Sequence, residues 1–335
     1  MSWVEQDAQL KHLKKQFSFL GEAPAQSLQQ VVKDLDRAYK GFFKEGRGFP
    51  RFKKKGIYDS FRVPQGFRVV GNYIRLPKVG EVKFRLSREI EGVAKSVTVS
   101  RHGAHWYASV QVEVVKPSNL IPFCEGSAVG IDMGVTTLAT LSDGSEFHHL
   151  DFSQLERKRL RAQRSLSRKK KGSSNFRKAK ARLYRIHESI ANKRLDTLHK
   201  ATTAISNNHA VVYVEALNTK GMSTSAKGDM EMPGKNVRAK AGLNKAILRQ
   251  GWHEFKSQLK YKLAWRGGNL IEIDPRYTSQ TCPKCGHTAK ENRRGKRFVC
   301  VKCGHTDDAD RNAAINILEV GQTSTACGDI RRISA

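Results

Sequence analysis

SAVGIDMGVTTLATLSDGSEFHHL (Ser127–Leu150) is the stretch that decides the fold. Apolar and β-branched runs are punctuated by turn signals at Met133-Gly134 and Asp143-Gly144, which predicts a meander of three short strands. The first strand, Ala128–Ile131, is closed by a carboxylate, Asp132, in G-I-D-M-G, where small residues leave room for a phosphate. Downstream, residues 151–204 read as helical and are broken near Gly172-Ser173-Ser174. AVVYVEAL (210–217) is an unbroken apolar run, as in a strand covered on both faces, and it ends in Glu215. Residues 219–241 read as a flexible loop. Residues 242–266 return to helical spacing, NLIEIDP (269–275) is another strand, and DRNAAINILEV (310–320) is a helix opened by Asp310. The last dozen residues read as an untied tail.

The order matters more than any one acid. Alone, Asp132 could be a turn residue and Asp310 a helix cap. A meander with Asp on its first strand, a helix, a parallel strand ending in Glu and a later helix bearing Asp together fit an RNase H-like (RuvC) α/β fold. There the first and fourth strands are neighbours, so the acids converge. Three carboxylates in one place repel, and a pair of Mg²⁺ ions resolves the repulsion. Two ions about 3.5–4 Å apart suit an in-line displacement at phosphorus.

Upstream the class is α+β. Residues 24–45 place Leu28, Val31, Val32, Leu35, Tyr39, Phe42 and Phe43 at helical spacing, a face that a core helix explains. From Phe49 to about Val115 the period changes to two, which predicts a small antiparallel barrel or sheet. FPRFKKKG (Phe49–Gly56) interleaves aromatic residues with Lys53, Lys54 and Lys55, which suits a nucleic-acid surface or equally a solvated loop. A proline-bearing boundary around Pro117–Glu125 divides a recognition region, 1–118, from a nuclease core, 119–335.

The chain of 335 residues carries 61 Lys and Arg against 31 Asp and Glu, a formal net charge of +30. Self-repulsion on that scale calls for a polyanionic partner, and nucleic acid fits best. No apolar run approaches the roughly 18 residues of a membrane span, and no signal peptide is evident at the N-terminus, so no membrane partner is expected. Residues 151–200 alone hold 17 Lys and Arg against 4 acids. Within them Arg157, Lys158, Arg161, Arg164, Arg168 and Lys169 are candidate phosphate contacts.

Of six cysteines, four form two C-x-x-C pairs, Cys282/Cys285 and Cys300/Cys303, separated by 14 residues; Cys124 and Cys327 stand alone. Each pair aims two thiolates at one point, and two pairs complete a tetrahedron around one structural Zn²⁺. The zinc ribbon is assigned to 278–307, with His287 and His305 as non-ligands. Arg293, Arg294, Lys296 and Arg297 between the pairs point to nucleic-acid contact by the ribbon. Clustered thiols without a signal peptide place the protein in the cytosol.

GIDMGVTTLATLSDG, VVYVEALNTKGM, YTSQTCPKCG and CGHTDDADRNAAINIL closely resemble the OrfB/TnpB proteins of bacterial insertion sequences, relatives of the type V CRISPR effector nucleases. LDRAYKGFF with FPRFKKKG, and RLDTLHK, match further segments in family order. The resemblance implies an RNA-guided, Mg²⁺-dependent DNA endonuclease of a transposable element. Asp132, Glu215 and Asp310 match its three acids; Asp310 is chosen over Asp307 and Asp308 because it stands two residues before Asn312. The implied partners are a guide RNA from the element's end and duplex DNA, with a target-adjacent motif read by the N-terminal domains. The alternative is a non-cleaving nucleic-acid-binding remnant or regulator. Family members begin with a strand and helix upstream of the point matching Met1, so a shortened recognition region and weak guided cleavage are expected.

Overall fold

The structure, a computed structural model, describes residues 3–54, 56, 59–103, 105–114 and 128–326. Lys55, Cys124, Cys327 and the whole of the expected boundary at Pro117–Glu125 lie outside these residues. The chain forms two compact units, Met1–Pro117 with Ser165–Arg185, and Ser118–Arg164 with Ile186–Ala335.

The first unit opens with helices α1 (Trp3–Gln16) and α2 (Ala25–Glu45). Helix α2 ends where Gly46 turns left-handed at φ 64°, a conformation that costs glycine little. The α2 face expected to be core is largely open: Val31 is 62% exposed and Phe43 75%. Six strands follow, β1 (Ser60–Val63), β2 (Arg68–Val70), β3 (Tyr73–Leu76), β4 (Gly80–Lys83), β5 (Val93–His102) and β6 (His105–Glu113). The expected barrel does not close. Among the described residues the strands make two antiparallel three-stranded sheets, β1-β5-β6 and β2-β3-β4. Both edges of β5 are taken, by β1 and β6, so β4, which precedes it, finds no edge there to continue around a barrel. The two sheets share one core, in which Val63 and Val97 meet Ile74 and Leu76.

The second unit is built on strands β7 (Ala128–Asp132), β8 (Thr137–Leu141), β9 (Glu146–His148), β10 (Val211–Glu215) and β11 (Asn269–Ile273). Their order is β11-β10-β7-β8-β9. Strands β11, β10 and β7 run parallel, while β8 and β9 complete the antiparallel meander. Helices α3 (Ser153–Ser167) and α4 (Ser174–Asn208) lie between β9 and β10 in the chain, with the expected break between them. After β10 come a single helical turn, α5 (Thr219–Met222), then α6 (Val237–Gln250) and α7 (Trp252–Trp265). The single helix expected over 242–266 is thus two, and the region read as loop gives α6 its first turns. Gly251 makes the break: at φ 72° it leaves the right-handed region, ending α6 and starting α7. A small sheet of β12 (Arg293–Arg294), β13 (Arg297–Val299) and β14 (Thr306–Asp308) precedes α8 (Ala309–Ala326). Among the described residues no helix is long and apolar enough to cross a membrane.

Alternation along the strands assigns the two sheet faces. Val129, Ile131, Val212 and Val214 point into one core with Phe255, Leu259 and Leu263 of α7. Ala128, Val211 and Tyr213 face the other way, against Ile317 and Leu318 of α8. Gly130 lies on that second face, and α8 runs directly over it. A Cβ there would stand 2.1 Å from the Ala314 carbonyl oxygen and 2.6 Å from the Leu318 nitrogen. Gly130, the first of the two glycines in G-I-D-M-G, therefore admits a helix backbone and not a phosphate.

Candidate active site and metal centre

The same alternation that puts Gly130 under α8 puts Asp132 and Glu215 on the α8 side, at the C-terminal ends of neighbouring parallel strands. Ile131 pairs with Val214, so the next residue of each strand stands at the same level. Glu215 is buried and Asp132 half-buried. Asp310 comes to them on the first turn of α8, with its side chain 18% exposed.

Asp132 feels both of the other acids. Burial, then the charges of Glu215 and Asp310, push the Asp132 carboxyl up to about 7; Arg293 opposes the shift and Asp308 adds to it. Burial also raises Glu215, against a hydrogen bond from Thr278 and the charge of Arg293. Thr278 Oγ1 donates to Glu215 Oε1 at 2.7 Å. Arg293 Nη2 pairs with Asp310 Oδ1 at 3.1 Å.

Asp308 has a different task. Its Oδ1 accepts the backbone N–H groups of Asp310 at 2.9 Å and Arg311 at 3.3 Å, the pattern of an N-cap. The cap role considered for Asp310 thus belongs to Asp308, and Asp310 is free to face the other acids.

A raised folded-state pKa in an acid means that the folded chain holds the proton more tightly than the unfolded one. Stability then falls as pH rises from the unfolded value, about 4, through about 7. In zinc-loaded protein freed of Mg²⁺ by dialysis, Asp132→Asn, which carries no charge at any pH, is expected to melt above the parent at about pH 8. The gain should be on the order of 1–3 kcal/mol, and it should disappear by about pH 4, where the parent is also protonated. Equal melting at the higher pH would contradict it.

The four cysteines meet as expected. Their sulfurs all lie within 4.8 Å of one another, the one such group of three or more His, Cys, Asp or Glu among the described residues. Cys282–Cys303 and Cys285–Cys300 are each 3.6 Å apart. A tetrahedral ion with bonds of about 2.3 Å sets its sulfurs about 3.8 Å apart, so the cluster fits zinc. The two knuckles repeat one geometry. The Cys282 N–H donates to the His287 carbonyl and the Cys300 N–H to the His305 carbonyl, with Gly286 at φ 69° and Gly304 at φ 72° making the turns. Neither histidine belongs to the cluster. Asn292, fully buried, binds the carbonyls of Gln280 and His287 and accepts the Val301 N–H, tying the halves of the ribbon together.

Arg157, Lys158, Arg161 and Arg164 of α3 are exposed, as are Arg168 and Lys169 beyond it, and Lys53 and Lys54 in the first unit. Arg159 is not part of that surface: it pairs with Glu156 at 2.9 Å. Within the ribbon, Arg294, Lys296 and Arg297 are exposed, but Arg293 turns inward to Asp310. By sequence alone Arg293 is indistinguishable from its basic neighbours. Alternation on β12, which sends adjacent side chains to opposite faces, is the signal that separates it from Arg294. Thr278 was missed, and nothing local in TSQTC marks it as the partner of an acid 63 residues away.

A family model described as "Probable transposase" (OrfB of IS605) matches residues 109–226, and one described as the Cas12f1-like TNB domain matches residues 252–317. InsQ of Escherichia coli K12, provisionally named an RNA-guided DNA endonuclease, is 50% identical over 316 residues, covering 93% of this chain and 78% of InsQ. A Streptomyces pristinaespiralis protein with a similar provisional name is 34% identical over 340 residues, covering 98% and 80%. Among solved structures, the Cas12f1–sgRNA–target DNA complex aligns with a TM-score of 0.51 over 88% of this chain and 70% of that one. At 17% identity this is a likeness of fold.

Proposed function

The chain belongs to the OrfB/TnpB family of insertion-sequence proteins, and from that premise we propose that it is an RNA-guided, Mg²⁺-dependent DNA endonuclease with an RNase H-like (RuvC) core. One observation carries the reading: Asp132 and Glu215 end adjacent parallel strands on one sheet face, and Asp310 starts the helix that covers that face. We assign residues 119–335 to the nuclease core and 1–118 to recognition of the DNA flanking the target.

An all-oxygen donor set suits a hard divalent cation, and a cation beside Asp132 would offset the burial and the neighbouring charges of Glu215 and Asp310 that together raise its carboxyl. Asp132, Glu215 and Asp310 would hold the ions. A Mg²⁺ pair, when bound, supplies the charge that activates a water and stabilises the leaving 3′ oxygen. Thr278 donates a hydrogen bond to Glu215. Arg293 holds Asp310 and adds a fixed positive charge where a phosphodiester must approach three acids. Cys282, Cys285, Cys300 and Cys303 would hold one structural Zn²⁺.

The partners are a guide RNA, derived from the end of the mobile element, and a duplex DNA target, in the bacterial cytosol. Arg157, Lys158, Arg161, Arg164, Arg168 and Lys169, with the Lys53–Lys55 run, supply phosphate contacts. Neutralising several of the six on and after α3 is expected to flatten the plot of log affinity for RNA against log salt by roughly 0.7–0.9 per lost contact. An unchanged slope would leave them a solvated face. The whole reading is tested by sequencing the RNA that co-purifies with the chain. That RNA, Mg²⁺ and duplexes carrying its complement beside randomised flanks should then give cleavage of matched duplexes. No bound RNA, or no guided cut, would overturn it.

A further inference from the structure

Thr278 lies in the turn between β11 and the first cysteine knuckle, outside the acid set, and it is buried. Its hydroxyl has one proton, and the shorter of its two acceptor contacts, 2.7 Å against 3.1 Å to the Pro275 carbonyl, is to Glu215 Oε1. We infer that Thr278 is a positioning residue for Glu215: its hydroxyl holds one carboxylate oxygen and thereby turns the other toward Asp132 and Asp310, and Asn316 holds Thr278 in place. The inference rests on the acid site proposed above.

Two further observations converge on it. Asn316 of α8 is 3% exposed and spends its amide on this turn, donating to the carbonyls of Thr278 and Thr281 at 2.7 Å each. Asn312, one helical turn earlier, donates to the Thr281 carbonyl as well, at 3.0 Å. The helix that carries Asp310 therefore also clamps the turn that orients Glu215, so two acids from distant parts of the chain are referred to one rigid element. In addition, Tyr277 sits at φ 64°, in the left-handed region that a bulky residue rarely adopts, although its ring is exposed and packs no core. Its carbonyl accepts the N–H groups of Gln280 and Thr281. A strained, over-determined turn beside a cluster of acids is where orientation outweighs backbone comfort.

A hydrogen-bond partner of this kind matters to metal affinity because it fixes the ligand before the ion arrives; its loss typically costs about 10–100-fold. The test compares Thr278→Val, which keeps the shape and removes the hydroxyl, with Thr278→Ser, which restores it. Mn²⁺ affinity is read by electron paramagnetic resonance on the full, zinc-loaded chain, scoring the site that is lost in Asp132→Asn. The Mg²⁺ dependence of cleavage is read in parallel. Thr278→Val is expected to weaken Mn²⁺ by roughly 10–100-fold and to move cleavage to correspondingly higher Mg²⁺, and Thr278→Ser to return both toward the parent. Zinc content is measured on each variant. If Thr278→Val loses zinc, Thr278→Ala, which adds no apolar bulk, takes its place in the same comparison. Parent-like Mn²⁺ affinity in the hydroxyl-free variant, or a serine variant no better than valine, would overturn the inference. If Glu215→Gln itself keeps Mn²⁺ binding and cleavage, the acid-site reading fails instead, so the two failures are separable.

Discussion

Asp132→Ala, Glu215→Ala and Asp310→Ala are each expected to lower guided cleavage of duplex DNA by about 10³-fold or more while leaving RNA affinity nearly unchanged. Losing a single donor aimed at transition-state charge costs about 10²–10³-fold, and each of these acids would hold a metal ion. None of the three lies on the exposed basic surface, and each repels a polyanion in the ground state, so their removal has no reason to weaken RNA binding. The companion experiment separates Asp310 from its neighbour. Asp308 caps α8, and losing such a cap costs about 0.5–2 kcal/mol of stability. Asp308→Asn, which can still accept those two N–H groups, should therefore cut DNA almost as the parent does, whereas Asp310→Asn should not. The opposite result would move the third acid to Asp308 and would leave the Arg293–Asp310 pair without a role in the reaction.

The second large effect concerns zinc. The ribbon's own core is very small: Phe298 packs against Cys282, Cys300 and Ala309 with little else. A core of that size does not offset the chain entropy of some 30 residues, whereas a structural zinc site contributes on the order of 10–16 kcal/mol. One zinc per chain is expected by metal analysis of freshly purified protein. Cys300→Ser should lose it and make 278–308 sensitive to protease. The damage should reach the acids, because three links run from the ribbon to them. Arg293 binds Asp310, the Lys296 carbonyl accepts the Ala309 N–H at the start of α8, and Thr278 binds Glu215. Cleavage should fall about as far as in the acid variants. Zinc-free protein that cuts at the parent rate would refute the site and its coupling to the acids together.

Much of this candidate site is legible in the sequence. The acids stand out because each occupies a position that local sequence defines: Asp132 after a β run and before a turn, Glu215 at the end of an apolar run, Asp310 at the start of a helix. The cysteines stand out because C-x-x-C spacing alone aims two sulfurs at one point. Arg293 and Thr278 do not stand out, since their partners are 17 and 63 residues away and no period connects them. The N-terminal strands show a similar limit. Period two predicts the run of short strands and inner residues such as Val97, but not which edges pair, because hydrogen bonds between strands carry no trace in the alternation of side chains. That is why a barrel was expected where two open sheets stand. The open face of α2 failed for a related reason: spacing shows that Val31 and Phe43 share a side, not whether anything covers it.

By itself, then, the order of elements determined the mixed sheet, the neighbouring places of β7 and β10, the four-cysteine cluster and the basic character of α3, all of which follow from local periodicity, turn chemistry and charge. Only the tertiary structure decided that Gly130 makes room for α8 and not for a phosphate, that Asp308 caps while Asp310 faces the acids, and that the ribbon contributes Arg293 and Thr278 to the site. These are matters of contact between segments far apart in the chain. They depend on how closely two backbones approach and on which single oxygen a proton reaches, and neither quantity is encoded in any short stretch of sequence.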